Sequence, residues 1–290
     1  MKRKTRLFIV VALMAIMVLL IGIGVRKFMA ISCKGIYKTE VQKRLTHIGK
    51  TTNPLLTEND IQHLPEPVQK YLHYVGAIGK ERVNNIRTFF SGDFKIDPKR
   101  DWMKIKTEQY DFFTHPTRLF FIQGNMWMIP MKGYDFYSQG KGNMRITIAS
   151  LITVADVKGP EADIAEMATL FNDMCLLAPA TLIDNRIDWE PMDPLTVKGC
   201  FQDGAHKVSA ILYFNEQGEL INFVTEDRYF APIGQTPRKV KWSTPVRRYQ
   251  EFGGVKVVSE ADAIWHLTEG DLCYAKFKLQ EIEYNCRRFK

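Results

Sequence analysis

Arg247-Arg248-Tyr249-Gln250-Glu251-Phe252-Gly253-Gly254-Val255-Lys256-Val257-Val258 opens the stretch whose reading decides the fold, which continues through Ala263-Ile264-Trp265-His266-Leu267 to Leu279-Gln280-Glu281-Ile282-Glu283-Tyr284-Asn285. Three extended segments follow one another, each apolar on one side. Gly253-Gly254 supplies the tight turn between the first two, because glycine reaches positive φ at no steric cost. The chain therefore closes as an antiparallel meander, and nothing in it has the look of a reaction centre.

Upstream of the meander the same period-two pattern recurs. Candidate strands are 86–96, 103–113, 118–123 and 134–139, with 143–148 as one more, and turns fall at Asp97-Pro98-Lys99, His115-Pro116 and Gly140-Lys141-Gly142. Phe112-Phe113 and Leu119-Phe120-Phe121-Ile122 are apolar on both faces, which implies helices on one side of the sheet and an interior or groove on the other. Gly159-Pro160-Glu161 then opens a helix with Ile164, Met167, Ala168, Phe171 and Met174 on one face, and Pro179 starts a shorter one through Ile183. After Trp189-Glu190-Pro191 the strands resume: 208–214 and 220–225 flank Asn215-Glu216-Gln217-Gly218-Glu219 as a hairpin, and 239–242 precedes the meander. About nine or ten antiparallel strands must curl to protect their edges. The expected fold class is α+β, mainly antiparallel β: a strongly curved half-barrel sheet with a few covering helices, preceded by one transmembrane helix.

That last helix rests on Leu7 to Val25, nineteen uncharged residues between Arg6 and Arg26. As a helix they span about 28 Å, close to the roughly 30 Å of a bilayer's hydrocarbon. A cleaved signal peptide usually has a shorter apolar region and a small-residue exit, whereas here the exit is Arg26-Lys27-Phe28. Ala30-Ile31-Ser32-Cys33 offers the alternative of a lipoprotein with Cys33 acylated, against which the two intervening cations stand. The expectation is an uncleaved anchor, N-terminus inside and domain on the extracytoplasmic side. Residues 1–27 form tail and anchor and 28–56 a juxtamembrane spacer. A single β-rich domain, 57–290, opens with a short helix on Val68, Tyr71, Leu72 and Val75.

The net charge of +8 is concentrated at the front, where residues 1–27 hold six cations and no acid, leaving +2 for the rest. A nearly neutral body argues against a nucleic-acid surface, even where Arg228-Tyr229-Phe230 and Lys239-Val240-Lys241-Trp242 interleave aromatic and basic residues. Five cysteines (33, 175, 200, 273 and 286) contain no Cys-x-x-Cys pair, and six histidines contain no His-Glu-x-x-His spacing. No phosphate loop, dinucleotide fingerprint or nucleophile elbow occurs, so neither cofactor nor metal is expected.

Leu64-Pro65-Glu66-Pro67-Val68-Gln69-Lys70-Tyr71-Leu72, Glu108-Gln109-Tyr110, Val154-Ala155-Asp156 with Gly159-Pro160-Glu161, Trp189-Glu190-Pro191, Asp227-Arg228-Tyr229 and Tyr249 to Val255 together resemble an uncharacterised family of bacterial membrane-anchored proteins, a domain of unknown function. More distantly, the ending is similar to the LolA-like lipoprotein carriers. That resemblance implies a half-barrel whose helices close an apolar cavity for acyl chains.

Alternation on the strand 103–113 puts Glu108 and Tyr110 on one face and Gln109 on the other. If Glu108 points inward it needs a partner, and Arg228 is the candidate. The pair is open to three readings: a structural ion pair, a headgroup contact at a cavity mouth, or an acid/base pair of an uncharacterised enzyme. Met126-Trp127-Met128-Ile129-Pro130-Met131 is either core or an adaptable apolar surface. Candidate ligand-binding residues are Glu108, Tyr110, Trp127, Arg228, Tyr229, Trp265 and Phe277. The leading expectation is non-catalytic binding of a lipid or other apolar ligand; an envelope structural or interaction module is the alternative.

Overall fold

The computed structural model describes residues 32–48, 53–96, 100–126, 128–149, 152–231 and 236–290, together with Met17. Helices α1 (Cys33–Leu45), α2 (Glu58–Ile61) and α3 (Glu66–Tyr74) come first. Six strands run up and down after them: β1 (Asn85–Phe94), β2 (Met103–Phe112), β3 (Thr117–Met126), β4 (Ile129–Ser138), β5 (Lys141–Ile148) and β6 (Ile152–Lys158). Helix α4 (Pro160–Leu177) and a 3-10 turn (Pro179–Ile183) lead to β7 (Ile187–Asp193), β8 (Thr196–Asp203), β9 (His206–Phe214) and β10 (Leu220–Thr225). Short β11 (Tyr229–Phe230), β12 (Arg238–Lys239) and β13 (Trp242–Ser243) precede β14 (Val246–Phe252), β15 (Val255–Leu267) and β16 (Gly270–Tyr284).

Fourteen strands make one antiparallel sheet, in the order β6-β5-β4-β3-β2-β1-β16-β15-β13-β10-β9-β8-β7, with β14 beside β15. The closing meander thus lies in the middle of the sheet. Strand β16 pairs with β1 from Ile86↔Tyr284 to Phe94↔Ala275, slipping register at Phe89/Phe90, where a bulge bends the sheet. The segment 239–242, expected as one strand, divides between two partners, because β12 pairs with β11 while β13 pairs with β15. Strands β6, β7 and β8 lay outside the sequence expectation; β6 and β7 are largely exposed at the two ends of the sheet, so alternation leaves a faint trace there, whereas β8 is mostly buried.

Both faces of the curled sheet are covered over β2–β4, as the doubly apolar strands required. Inside the curl, α4 touches β4 and β5 on one half and β9, β10 and β15 on the other. Met167, Ala168, Phe171 and Met174 are at most 1% exposed there, and Phe171 meets Phe201, Phe223 and Trp189. The outer face of β2–β4 carries Tyr110, Leu119, Phe121 and Tyr134, over which α1 lays Cys33, Tyr37, Val41 and Leu45. Residues 33–45, assigned from sequence to a spacer, are therefore part of the packed structure. Only four apolar residues at four-residue intervals form this stripe, among Lys34, Lys38, Lys43 and Arg44, which hid it in the sequence.

Among the described residues no helix is long and apolar enough to cross a membrane. Apart from Met17, Leu7 to Val25 lies outside the described residues.

Gly142 holds β5 against the start of α4. A Cβ there would sit 2.3 Å from the Ala162 carbonyl oxygen, so Gly142→Ala must push helix and strand apart. Thermal denaturation is expected to report a loss of about 1–3 kcal/mol, typical of overpacking.

Candidate functional site

A cavity of about 190 Å³ remains between α4 and the inner face of the sheet. One part of its wall is apolar, with Phe90, Phe120, Ile122, Ile146, Leu176 and Phe277. The other part is polar and comes chiefly from α4, where Glu166, Thr169 and Asp173 recur at helical spacing on the face opposite Phe171. An alternating strand and a helix with two faces are enough to build this division.

Arg118 of β3 is the centre of the polar part. Its Nε donates to Asp173 Oδ2 at 2.8 Å, and its Nη1 to Asp135 Oδ2 at 3.1 Å and Glu166 Oε2 at 3.3 Å. The guanidinium also stands 4.7 Å from the Phe120 ring centroid. Gln109 Nε2 donates to Asp173 Oδ2 at 2.7 Å and Asp111 Oδ2 at 2.6 Å, extending the network across β2. Arg228 enters from the other side: its Nη1 donates to the Ala165 carbonyl at 2.9 Å and to Thr169 Oγ1, and lies 4.0 Å from Glu166 Oε1. Its guanidinium faces the Trp242 and Trp265 rings at 4.8 and 5.7 Å.

Four carboxyl groups, of which Asp111, Glu166 and Asp173 are buried, thus outnumber two arginines, so ionising every buried acid is costly. Burial raises the pKa of Glu166 well above the usual carboxylate range, with Asp135 adding to the rise and Arg228 and Arg118 opposing it. Burial does the same to Asp111, reinforced by Asp173. Asp173 is also raised by burial, though Arg118 and Gln109 pull against the shift. Burial works against the charged form of Arg118, but Asp173, Asp135, Glu166 and Asp111 outweigh it and hold the guanidinium firmly protonated. Two polar atoms on the cavity wall, Arg228 Nε and Asp135 Oδ1, have no hydrogen-bond partner in the protein.

A family model described as a family of unknown function (DUF6544) matches residues 54–277, more than three quarters of the chain. The chain belongs to this family. No curated protein matches it. Among solved structures, a domain named for outer membrane lipoprotein sorting, from Vibrio parahaemolyticus, is similar with a TM-score of 0.42 and 7% identity, over 76% of this chain and 91% of that one. A LolA superfamily protein from Nitrosomonas europaea gives a TM-score of 0.38 and 9% identity, over 76% of this chain and 94% of that one.

In this DUF6544 chain the residues singled out from sequence divide into those at the cavity and those elsewhere. Arg228 and Phe277 line it. Trp265 stands behind Arg228 and stacks on Tyr274 at 5.8 Å. Tyr229 is half-buried in the β11–β12 ribbon. Glu108 and Tyr110 share a face, as alternation required, but it is the outer one. There Glu108 accepts from Arg87 Nε at 2.8 Å, and Tyr110 stacks on Phe289 at 6.0 Å. The expected Glu108–Arg228 pair does not form, because the two side chains lie on opposite faces of the sheet. Trp127 lies outside the described residues.

Sequence reasoning missed Arg118, Gln109, Asp135, Glu166 and Asp173. A signal existed: Glu166-x-x-Thr169-x-x-x-Asp173 is a polar stripe on a helix whose remaining residues after Asp163 are apolar except Asn172. His266, the best-placed histidine, bridges Ser243 Oγ at 2.9 Å and Asp271 Oδ1 at 2.7 Å. The order is that of a hydrolytic relay, but Ser243 is only 2% exposed on a paired strand, so the chain of bonds pins β13 to the β15–β16 hairpin. Among the described residues no group of three or more His, Cys, Asp or Glu is placed to hold a metal ion.

Proposed function

We propose that this domain is membrane-anchored, stands on the extracytoplasmic side of a bacterial inner membrane, and holds the apolar part of a lipid-like ligand inside its curled sheet. The observation that carries the reading is the cavity itself: apolar wall on one side, Arg228 and Asp135 with unpartnered polar atoms on the other. An apolar chain fits the first, and an acidic or hydroxyl-bearing end fits the second. Its volume of about 190 Å³ is below the roughly 300–1,000 Å³ of sites for drug-sized ligands. A single chain, rather than a whole two-chain lipid, is the appropriate occupant. The apolar run Leu7–Val25 between cationic flanks supports the anchor.

Mass spectrometry of organic extracts from the purified full-length chain, followed by titration with fatty acids of increasing length, tests the reading. Saturable binding that Ala263→Phe weakens at least about tenfold is expected, since Ala263 lines the cavity and is 2% exposed. A protein that yields no extractable ligand and binds no member of the series would sink the idea.

A further inference from the structure

Alternate turns of an antiparallel meander fall on the same rim of its sheet. The turns β1–β2, β3–β4 and β5–β6 share a rim, and it carries the large apolar side chains Trp102, Met128, Ile129 and Ile152, which are 37%, 93%, 43% and 63% exposed. Met128 occupies a turn position with φ of 67°, where glycine or asparagine is the ordinary choice, so a methionine there meets no local backbone need.

Charge accompanies these side chains. The ammonium groups of Lys95 and Lys276 each stand 4.9 Å from the Trp102 ring centroid. Beside them a cleft of about 1070 Å³ is lined by six cations and three acids. The acids are already engaged by Lys104, Lys278 and Arg247, which leaves Lys106, Lys132 and Lys276 in excess on a body that is otherwise nearly neutral. A tryptophan held between lysines, beside exposed aliphatic side chains, is the composition that settles at a bilayer interface.

Helix α1 supplies the independent observation. Cys33, its first residue, places Sγ 3.6 Å from Thr147 Oγ1, next to the Ile148↔Ile152 pair at this rim. Arg44 near its other end donates to Ser138 Oγ at 2.8 Å, on the opposite rim. The chain therefore enters the domain at the apolar, basic rim. Only residues 26–32 separate Cys33 from Val25, a reach of at most roughly 29 Å.

We infer that this rim docks on a bilayer surface bearing anionic lipid. It is the same bilayer that Leu7–Val25 enters, an orientation that rests on the anchor proposed above. Met128, Ile129 and Ile152 sit among the headgroups, and the excess lysines meet their negative charge. The cleft and the cavity share Met131, Asp262 and Phe277, but Lys106, Lys132 and Lys276 line the cleft alone, so docking and ligand binding are separable.

The test uses the full-length chain with Cys200 and Cys273 replaced by serine and an environment-sensitive fluorophore on Met128→Cys. A second preparation carries it on Gln217→Cys, in the β9–β10 turn at the opposite rim. Both are reconstituted into vesicles of phosphatidylcholine alone or with phosphatidylglycerol. The Met128→Cys probe is expected to brighten about threefold and shift to the blue with phosphatidylglycerol, and the Gln217→Cys probe to stay as in water. The response should shrink at about 1 M salt, where screening acts within ~3 Å, and in Lys132→Glu/Lys276→Glu. A Met128→Cys probe as water-exposed as the Gln217→Cys probe in both vesicles overturns the inference. Flotation after a carbonate wash reports separately whether the anchor is inserted, and fatty-acid titration reports the cavity. Failure of either reading is thus distinguishable from failure of the rim.

Discussion

Replacing Arg118 by methionine is expected to lower stability by about 3–5 kcal/mol at neutral pH, the cost of removing one partner from a buried ion cluster. Asp173, Asp135 and Glu166 all bond to this one guanidinium; Glu166 and Asp173 of α4 are buried, while Asp135 keeps a partly exposed side chain. Methionine keeps much of the volume, so the loss reports charge rather than a cavity. The dependence on pH has a definite sign. Asp111, Glu166 and Asp173 already have pKa values raised by burial, so folding takes up protons. Their favourable protonated state is complete below the ordinary carboxylate range of about 4 and is lost as pH rises through the raised folded values. Without Arg118 those values rise further. Urea unfolding should therefore show the gap between Arg118→Met and the parent widening from pH 5 to pH 8, and a gap that stays constant or narrows would contradict the assignment.

Tyr37→Ala is expected to cost about 3–5 kcal/mol, as for other large buried aromatics. Tyr37 is fully buried under α1 and meets Phe121 at 5.6 Å, Tyr134 at 6.0 Å, and Tyr110 and Phe289 at 6.5 Å each. Its hydroxyl has no hydrogen-bond partner, and burial raises its pKa well above the usual phenol value. Tyr37→Phe is accordingly expected to be neutral or stabilising by up to about 1 kcal/mol, since an unmet polar group is removed. Chemical denaturation of the pair separates packing from polarity. A chain beginning at residue 50 would lack the whole α1 cover and expose Leu119, Phe121 and Tyr134, so loss of solubility is expected where a spacer could be removed without effect.

Strands and helices that carry their own pattern were legible without coordinates. Val208–Phe214 alternates buried and open along β9, and the apolar face of α4 recurs at three and four residues. Gly253 and Gly254 adopt φ of 59° and 78° in the turn that the sequence assigns to them. The two-faced strands β2 and β3 announced that both sides of the sheet would be covered, which α1 and α4 do.

The polar cluster was not legible for a different reason. Arg118 meets partners 17, 48 and 55 positions away, and Gln109 reaches Asp173 across 64. Each side chain taken alone is an ordinary polar residue on a strand or helix, and only the curl of the sheet around α4 makes them neighbours. Glu108 shows the converse. Its face relative to Tyr110 and Gln109 follows from period two, yet whether that face looks in or out depends on the direction of curl.

By itself, then, the sequence determined the local elements, their antiparallel order at the C-terminus and the demand that a doubly apolar sheet be covered twice. Those properties depend on dihedral preference and on residues within a few positions of one another. The tertiary structure decided that the meander lies at mid-sheet, that residues 33–45 cover the outer face, that Arg228 meets Glu166 rather than Glu108, and that a space remains beneath α4. Register and curl are set by contacts between segments far apart in the chain, where no local period carries the information.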